Sequence, residues 1–146
     1  MAATQTVHVE RDFSAPVETV FDHLATHENL AVLFAPARVE RINGEDGQRN
    51  GVGSARRLSF WGLLPFVETV TVFAPNQRIE YEITKGTPMR DHHGTMAFSS
   101  TPSGGSHLDY TIVFGSAVPG LAAIVAATLK RSITRGLAKV DAATAA

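Results

Sequence analysis

Two adjacent histidines, His92 and His93, stand in the polar segment RDHHG. Histidine titrates close to neutral pH, so such a pair could hold a metal ion or move a proton. Residues 91–100 alternate as a strand does, and Met96 and Phe98 mark the apolar face. His92 shares that face and His93 lies opposite, so the two imidazoles are not expected to hold one metal ion together.

The rest of the sequence adds no further metal signal. It contains no cysteine and no HExxH motif, which excludes thiolate sites and one common type of zinc site. The other histidines fall in separate predicted elements: His8, His23, His27 and His107. We therefore expect no bound metal and no cofactor.

Strand alternation places several more polar residues on faces that should be buried. In residues 66–73, the face favoured as inward carries Phe66, Glu68, Val70 and Val72. Tyr81 and Tyr110 lie on the apolar faces of two later strands, and Arg11 shares the apolar side of the first. The predicted polar lining of the interior is therefore His92, Glu68, Tyr81 and Tyr110, with Arg11 considered as an addition.

Two interpretations of this lining stay open. In the first, His92 and Glu68 are catalytic, because a buried imidazole beside a carboxylate or a phenol could polarise a carbonyl or transfer a proton, and burial raises the pKa of a carboxyl. In the second, Glu68 pairs with Arg11 or another basic group, His92 is hydrogen-bonded to a tyrosine, and the tyrosines fill space. Alternation predicts direction but not distance, so the sequence leaves both in place.

The elements that position these residues follow from hydrophobic period and turn signals. Period-2 segments predict seven strands, at 5–13, 37–42, 53–62, 65–74, 77–85, 91–100 and 106–115. Helical spacing predicts a short helix starting near Pro16, a second one capped by Thr26 and ended by Pro36, and a long amphipathic helix over 119–142. Asn-Gly, Asp-Gly and similar turns join the later strands as sequential hairpins. This pattern predicts an α+β fold in which the long helix covers a curved antiparallel sheet.

Length and charge limit the classes of function. A chain of 146 residues is most simply one domain over 1–146, and its formal charge of −1 supplies no basic field for nucleic acid. Its start lacks the apolar core of a signal peptide. The most apolar run, 117–129, is shorter than the roughly 20 residues that cross a bilayer. We expect a cytoplasmic protein without an integral membrane segment, either a monomer or a homodimer.

Several phrases of the sequence match a known family. SAPVETVFDHLATHENL resembles the APxExVFDxLxDxxNL opening of the START/Bet v 1-like (SRPBCC) superfamily, and GVGSARR, ETVTVFAPNQRIEYEI, RDHHGTMAF and GGSHLDYTIVF fall where its polyketide cyclase/dehydrase branch has strand signatures. The resemblance covers nearly the whole chain. It implies the helix-grip fold, in which a curved seven-stranded antiparallel sheet wraps around a long C-terminal helix, with two short helices after strand 1. Members include cyclases, aromatases, lipid and quinone carriers, hormone receptors and chaperone activators, so the fold does not settle function.

Three functions are compatible with this resemblance. The first is binding or transport of a lipid, aromatic or polyketide-like ligand in a cavity between sheet and helix. The residues expected to line the cavity are Trp61, Tyr81, Met96, Phe98, Tyr110, Phe114, Leu121, Val125 and Leu129. The second is a polyketide cyclase, aromatase or dehydratase using His92 and Glu68. The third is an interaction protein with a filled interior that docks a partner on its surface. The small residues of the long helix could either leave room for a ligand or allow close packing.

Overall fold

The computed structural model describes residues 4–42, 50–60, 63–86 and 89–145. Its elements in chain order are β1 Gln5–Phe13, α1 Val17–Ala25, a 3₁₀ helix His27–Val32, β2 Arg38–Arg41, β3 Ala55–Phe60, β4 Leu63–Ala74, β5 Arg78–Lys85, β6 Met89–Ser100, β7 Ser106–Ser116 and α2 Leu121–Thr144. The predicted strands and the long helix are all present, with ends displaced by no more than two residues. The α+β architecture is therefore confirmed.

All seven strands form one antiparallel sheet in the order β1-β7-β6-β5-β4-β3-β2. Strands β2 to β7 follow one another as a meander, and β1 pairs with β7, so the first and last strands of the chain are neighbours. The long helix α2 packs against β1, β7, α1 and the 3₁₀ helix. The sheet is thus covered on one side by helices, as the helix-grip prediction requires.

A bulge in β4 reverses the predicted direction of one side chain. The register of β4 on β5 shifts between Val70 and Val72, and an extra residue in a strand exchanges its two faces. Val72, predicted to point inward, is 36% exposed. Phe73 points inward instead and contacts Phe21 of α1 edge-on, with ring centroids 5.3 Å apart. The prediction for Val72 is wrong because alternation was counted through the bulge.

One end of the groove between sheet and helices is filled with closely packed side chains. Phe21 of α1 also contacts Phe98 of β6, at 5.0 Å between ring centroids. From the C-terminal half of α2, Ile133, Leu137 and Val140 are almost completely buried in the same core. This packing leaves the other end of the groove, under the N-terminal half of α2, as the place where a cavity can form.

The small residues of α2 allow close packing. A Cβ atom at Gly136 would lie 2.5 Å from the backbone oxygen of Val32, so the helix backbone rests almost directly on the 3₁₀ helix. Ala122 and Ala126 are buried, whereas Ala123 and Ala127 face outward.

Within the described chain, no helix is both long and apolar enough to span a bilayer.

The start of the 3₁₀ helix differs in detail from the prediction. Thr26 occupies the N-cap position but makes no capping hydrogen bond. Its hydroxyl donates to the backbone oxygen of Asp22, one turn back in α1. The helix ends at Val32, ahead of Pro36. The side chains of Leu30 and Leu33 are buried, as their spacing predicts, so the segment is held mainly by its apolar side.

Candidate functional site

A cavity of about 630 Å³ lies between the inner face of the sheet and the N-terminal half of α2. This volume falls within the range of small-molecule sites, which is roughly 300–1,000 Å³. The walls are mostly apolar, and their larger members include Phe34, Leu58, Phe66, Ile83, Met89, Ile112, Phe114, Leu121, Val125 and Leu129. Ile124 also lines the cavity and is 67% exposed. The cavity therefore opens to solvent beside α2.

The residues predicted to line a cavity separate into two groups. Phe114, Leu121, Val125 and Leu129 are in its wall. Four others are buried in the described core but are not among the lining residues: Tyr81, Met96, Phe98 and Tyr110. All four share the inner face of the sheet with the lining residues, and alternation predicts the face on which a residue lies but not whether the space above that residue is filled or open. Trp61 lies outside the described residues.

The carboxylate of Glu68 lies in the cavity wall and is paired with Arg56. Arg56 Nε donates to Glu68 Oε1 at 2.9 Å, and Nη2 is 2.8 Å from the same oxygen without the alignment of a hydrogen bond. Both side chains are buried. Arg11, considered as the partner of Glu68, instead contacts Asp141 of α2 at 3.1 Å. The basic partner of Glu68 is therefore Arg56, which the sequence analysis did not single out.

Strand pairing explains how Arg56 reaches Glu68. The two residues lie directly opposite each other in the β3–β4 ladder, and cross-strand neighbours on one face have Cβ atoms about 5 Å apart. Arg56 is two residues before Leu58, which is buried on the inner face. Alternation from Leu58, combined with the predicted hairpin, was the sequence signal that could have identified Arg56.

A buried hydrogen-bond chain supports Arg56 on the side away from Glu68. Arg56 Nη1 donates to His27 Nδ1 at 3.1 Å, His27 Nε2 contacts Ser54 Oγ at 2.8 Å, and Ser54 Oγ donates to the backbone oxygen of Gly51 at 2.6 Å. A guanidinium can only donate, so His27 Nδ1 must accept and the proton of His27 lies on Nε2. Burial, followed by the charges of Arg56 and Arg41, lowers the pKa of His27 to about 3.

His92 presents one ring nitrogen to Glu68. The backbone N–H of Ile83 donates to His92 Nδ1 at 3.1 Å, so the neutral imidazole carries its proton on Nε2. Nε2 lies 3.6 Å from Glu68 Oε2, which is longer than a hydrogen bond. Burial is the main cause that lowers the pKa of His92, and Glu68 acts in the opposite direction. The histidine and the carboxylate proposed from the sequence are thus adjacent in the cavity wall.

An opening in the sheet makes room for His92. The β5–β6 ladder runs from Arg78 to Tyr81 on one strand and ends at Gly94 on the other. The register of β6 on β7 then shifts between Arg90 and His93. Beyond the end of that ladder, the His92 side chain accepts the Ile83 N–H. Because β6 is irregular here, the His92 imidazole accepts the Ile83 N–H in place of a backbone oxygen of the neighbouring strand.

The two tyrosines support Arg56 from inside the core. Their hydroxyls, Tyr81 Oη and Tyr110 Oη, hydrogen-bond to each other, and the Arg56 guanidinium carbon lies 4.6 Å from the centroid of the Tyr81 ring. Burial raises the pKa of both phenols, so both stay protonated. Among the described residues, no hydrogen bond joins His92 to a tyrosine, because the two phenols bond to each other and His92 meets Tyr81 through its ring, at 5.6 Å between centroids. Both tyrosines fill space, and the Tyr81 ring also covers the Arg56 guanidinium.

His93 lies on the outer face of the sheet, opposite to His92. Its Nε2 is 2.6 Å from Glu80 Oε1 and its Nδ1 is 3.1 Å from Glu82 Oε1. Both contacts are with β5, the neighbouring strand. The alternation predicted for RDHHG is therefore found, and the two histidines do not share a ligand.

Among the described residues, one group has ligand atoms close enough to hold a metal ion. His8, Glu10 and Asp109 have such atoms within 4.8 Å of one another on the outer face of β1 and β7. His8 Nε2 already contacts Asp109 Oδ1 at 2.9 Å, and the three side chains are largely exposed. The pairing of the first and last strands brings together residues that are distant in sequence. Cross-strand ion pairing accounts for this group.

The described chain matches one family model. It is the model for polyketide cyclase / dehydrase and lipid transport, and the match covers residues 4–144. A search among curated protein sequences finds no match.

Solved structures with this fold include proteins of different kinds. Ara h 8.0201 has a TM-score of 0.70 and 14% identity, covering 97% of this chain and 98% of that one. A protein from Nitrosospira multiformis has a TM-score of 0.70 and 18% identity over 92% and 94%. A norcoclaurine synthase point mutant from Thalictrum flavum, in complex with a transition-state analogue, has a TM-score of 0.70 and 14% identity over 97% and 93%. At these identities the likeness concerns the fold.

Proposed function

Because the chain belongs to the polyketide cyclase / dehydrase and lipid transport family, we propose that it binds and carries a small hydrophobic molecule in the cavity under α2. The observation that carries this proposal is an apolar cavity of about 630 Å³ whose described wall contains the buried polar pair Glu68 and His92. Apolar walls provide affinity by removing ligand surface from water, and a few polar groups fix orientation. A lipid, an aromatic compound or a polyketide-like molecule fits this description.

The proposed carrier would work in the cytoplasm. The ligand would enter beside Ile124, the exposed member of the cavity wall. An opening at a helix allows exchange without unfolding of the sheet, because α2 contacts the strands through side chains rather than through a backbone ladder. The proposed partner is therefore the ligand itself, taken up and released on one side of the molecule.

A second candidate is an enzyme in the same cavity. The 3.6 Å separation of His92 Nε2 and Glu68 Oε2 favours it, since a donor and an acceptor side by side suit general acid and base chemistry. His92 would donate a proton to a substrate carbonyl oxygen, and Glu68 would accept one from the neighbouring carbon. A polyketide cyclase, aromatase or dehydratase reaction would use such a pair.

The first test is native mass spectrometry of the purified protein together with titration of Nile red, an uncharged hydrophobic dye. We expect either a co-purified ligand or saturable dye binding at one site. Leu129→Arg should abolish dye binding because it places a charge in the cavity wall. Ala127→Arg is the matched control on the exposed side of the same helix. Equal dye binding by wild type and Leu129→Arg would contradict the proposal.

A further variant, His92→Phe, separates a carrier from an enzyme. For an enzyme, a poly-β-carbonyl substrate should turn over with wild type, and His92→Phe should lose turnover while retaining Nile red binding. For a carrier, wild type should bind the compound and release it unchanged.

A further inference from the structure

The polar groups of the cavity wall are few, and most of them are already hydrogen-bonded. In the described lining, Thr128 Oγ1 donates to the Ile124 backbone oxygen at 2.9 Å, and Ser132 Oγ donates to the Leu33 backbone oxygen at 2.8 Å. Glu68 and His92 are the lining residues there that can carry charge, and no lysine or arginine lines the described wall. A ligand's polar group would therefore be recognised by Glu68 and His92.

Each of these two residues has one polar atom left for a ligand. Arg56 approaches Glu68 through Oε1 and leaves Oε2 on the side of His92. Ile83 N–H occupies His92 Nδ1 and leaves the Nε2 proton. The gap of 3.6 Å between Oε2 and Nε2 is too long for a direct hydrogen bond. One ligand oxygen could contact both atoms at once.

A donor, His92 Nε2, and an acceptor, Glu68 Oε2, face each other across this gap, so they favour some ligand head groups over others. A hydroxyl oxygen accepts the Nε2 proton and donates its own proton to Oε2, so both hydrogen bonds are formed. A ketone can only accept, which leaves Oε2 unpaired. A carboxylate can also accept from Nε2, but it places a second negative charge beside Glu68 in a medium of low dielectric constant. The Arg56 guanidinium is the counter-charge of Glu68 and is not among the residues that line the described cavity, so it does not contact a ligand carboxylate there.

We infer that the preferred ligand is an uncharged hydrophobic molecule with a hydroxyl, phenol or enol group, which bridges His92 Nε2 and Glu68 Oε2, and that the cavity rejects ligands with a carboxylate head. This inference rests on the proposed function, since it requires the cavity to bind a ligand. The specificity of the cavity then depends on the geometry of His92 and Glu68, and free fatty acids are not preferred ligands.

The test compares two ligands that share one alkyl chain. Displacement of Nile red by 1-dodecanol and by dodecanoate is measured at pH 8, where dodecanoate is ionised. Wild type should bind dodecanol at least about tenfold more tightly than dodecanoate. His92→Phe keeps a ring in place but removes the donor, so it should weaken dodecanol about tenfold, the effect expected of one hydrogen bond. His93→Phe, on the outer face of the same strand, should change neither ligand.

A double variant isolates the charge. Arg56→Met with Glu68→Leu removes both members of the ion pair and leaves no lone buried charge. Its discrimination between dodecanol and dodecanoate should fall at least about fivefold from the wild-type ratio, because the repelling carboxylate is gone. A ratio that stays at the wild-type value would overturn the inference. If this variant does not fold, His92→Phe decides alone: an unchanged affinity for dodecanol overturns the inference.

The outcomes for the two proposals are distinct. If wild type does not bind Nile red and neither alkyl ligand binds on direct titration, the proposed function and this inference both fail. If Nile red binds but dodecanoate competes as well as dodecanol, the carrier function stands and the hydroxyl assignment fails.

Discussion

At the scale of single residues, the Arg56 guanidinium organises the buried polar groups. Glu68 supplies its counter-charge, His27 accepts one of its N–H groups and the Tyr81 ring covers its face. Burying a charge costs several kcal/mol unless it is paired and hydrogen-bonded. This arrangement offsets that cost for Arg56 and holds Glu68 in the cavity wall. These polar groups all contact the Arg56 guanidinium. Glu68, with the adjacent His92, lies where this group meets the cavity.

We predict that His27 makes the protein less stable in mild acid. Its pKa is about 3 in the folded state against 6.5 when unperturbed, so between these values the unfolded chain binds a proton that the folded chain does not. The free energy of unfolding should fall as pH decreases below 6.5, by up to about 1.4 kcal/mol per pH unit. Burial lowers the pKa of His92 too, which adds a loss of the same sign. His107, whose pKa is raised mainly by Asp12, contributes stability that is lost as pH rises.

Urea unfolding at pH 7, 6 and 5 measures this effect, with His27→Gln as the comparison. A glutamine oxygen can accept from Arg56 Nη1, and the side chain does not titrate. Wild type should lose stability more steeply than the variant over this range. Parallel curves would show that His27 does not bind its proton differently in the two states.

At this scale, the sequence predicted which face of the sheet a side chain lies on better than it predicted which side chains contact one another. Alternation placed His92 and Glu68 on the inner face, where they are found, but their 3.6 Å separation depends on the bulge in β6 and on where the β5–β6 ladder ends. His27 was seen only as a residue in its own element, because its contact with Arg56 is a tertiary one. Such distances cannot be predicted from hydrophobic periodicity, because the periodicity describes one element at a time.

At the scale of elements, irregularities matter as much as the regular strands. The bulge in β4 turns Val72 outward and Phe73 inward, and the shift in β6 accompanies the use of His92 by Ile83 N–H. Element order and type followed from period and turn signals because those depend on local sequence. The bulges did not, because an extra residue is specified by the register of the neighbouring strand.

We predict that Gly136→Ala destabilises the protein although alanine is the better helix former. The substitution gains about 1 kcal/mol of helix propensity. The added Cβ would lie 2.5 Å from the Val32 backbone oxygen and 2.8 Å from Leu33 Cα, and backbone atoms cannot move aside without shifting the 3₁₀ helix. We expect a net loss of about 1–3 kcal/mol, which is typical of overpacking.

Chemical denaturation of Gly136→Ala and Ala123→Gly tests this prediction. Ala123 is exposed on the same helix, so its replacement should cost only the propensity difference, about 1 kcal/mol. Stabilisation by Gly136→Ala would mean that α2 does not rest on the 3₁₀ helix as closely as described.

At the scale of the whole molecule, the helix α2 has two functions along its length. Its C-terminal half completes the closed core through Ile133 and Leu137, whereas its N-terminal half covers the cavity through Val125 and Leu129. The amphipathic stripe in the sequence is continuous over both halves. It therefore predicted that the helix would cover the sheet, but not where the covered space would be empty.

The difference between the two halves gives the last prediction, in which the same large residue is placed in each. Val125→Trp should fill part of the cavity, so Nile red binding should weaken at least about tenfold while the free energy of unfolding stays within about 0.5 kcal/mol of wild type, because the indole enters existing space. Ile133→Trp has no such space and should lose roughly 1–3 kcal/mol through overpacking. Dye titration and urea unfolding of both variants measure the two effects. Equal destabilisation at the two positions would mean that the N-terminal half of α2 is as closely packed as the C-terminal half, and the cavity on which ligand binding depends would not be open in solution.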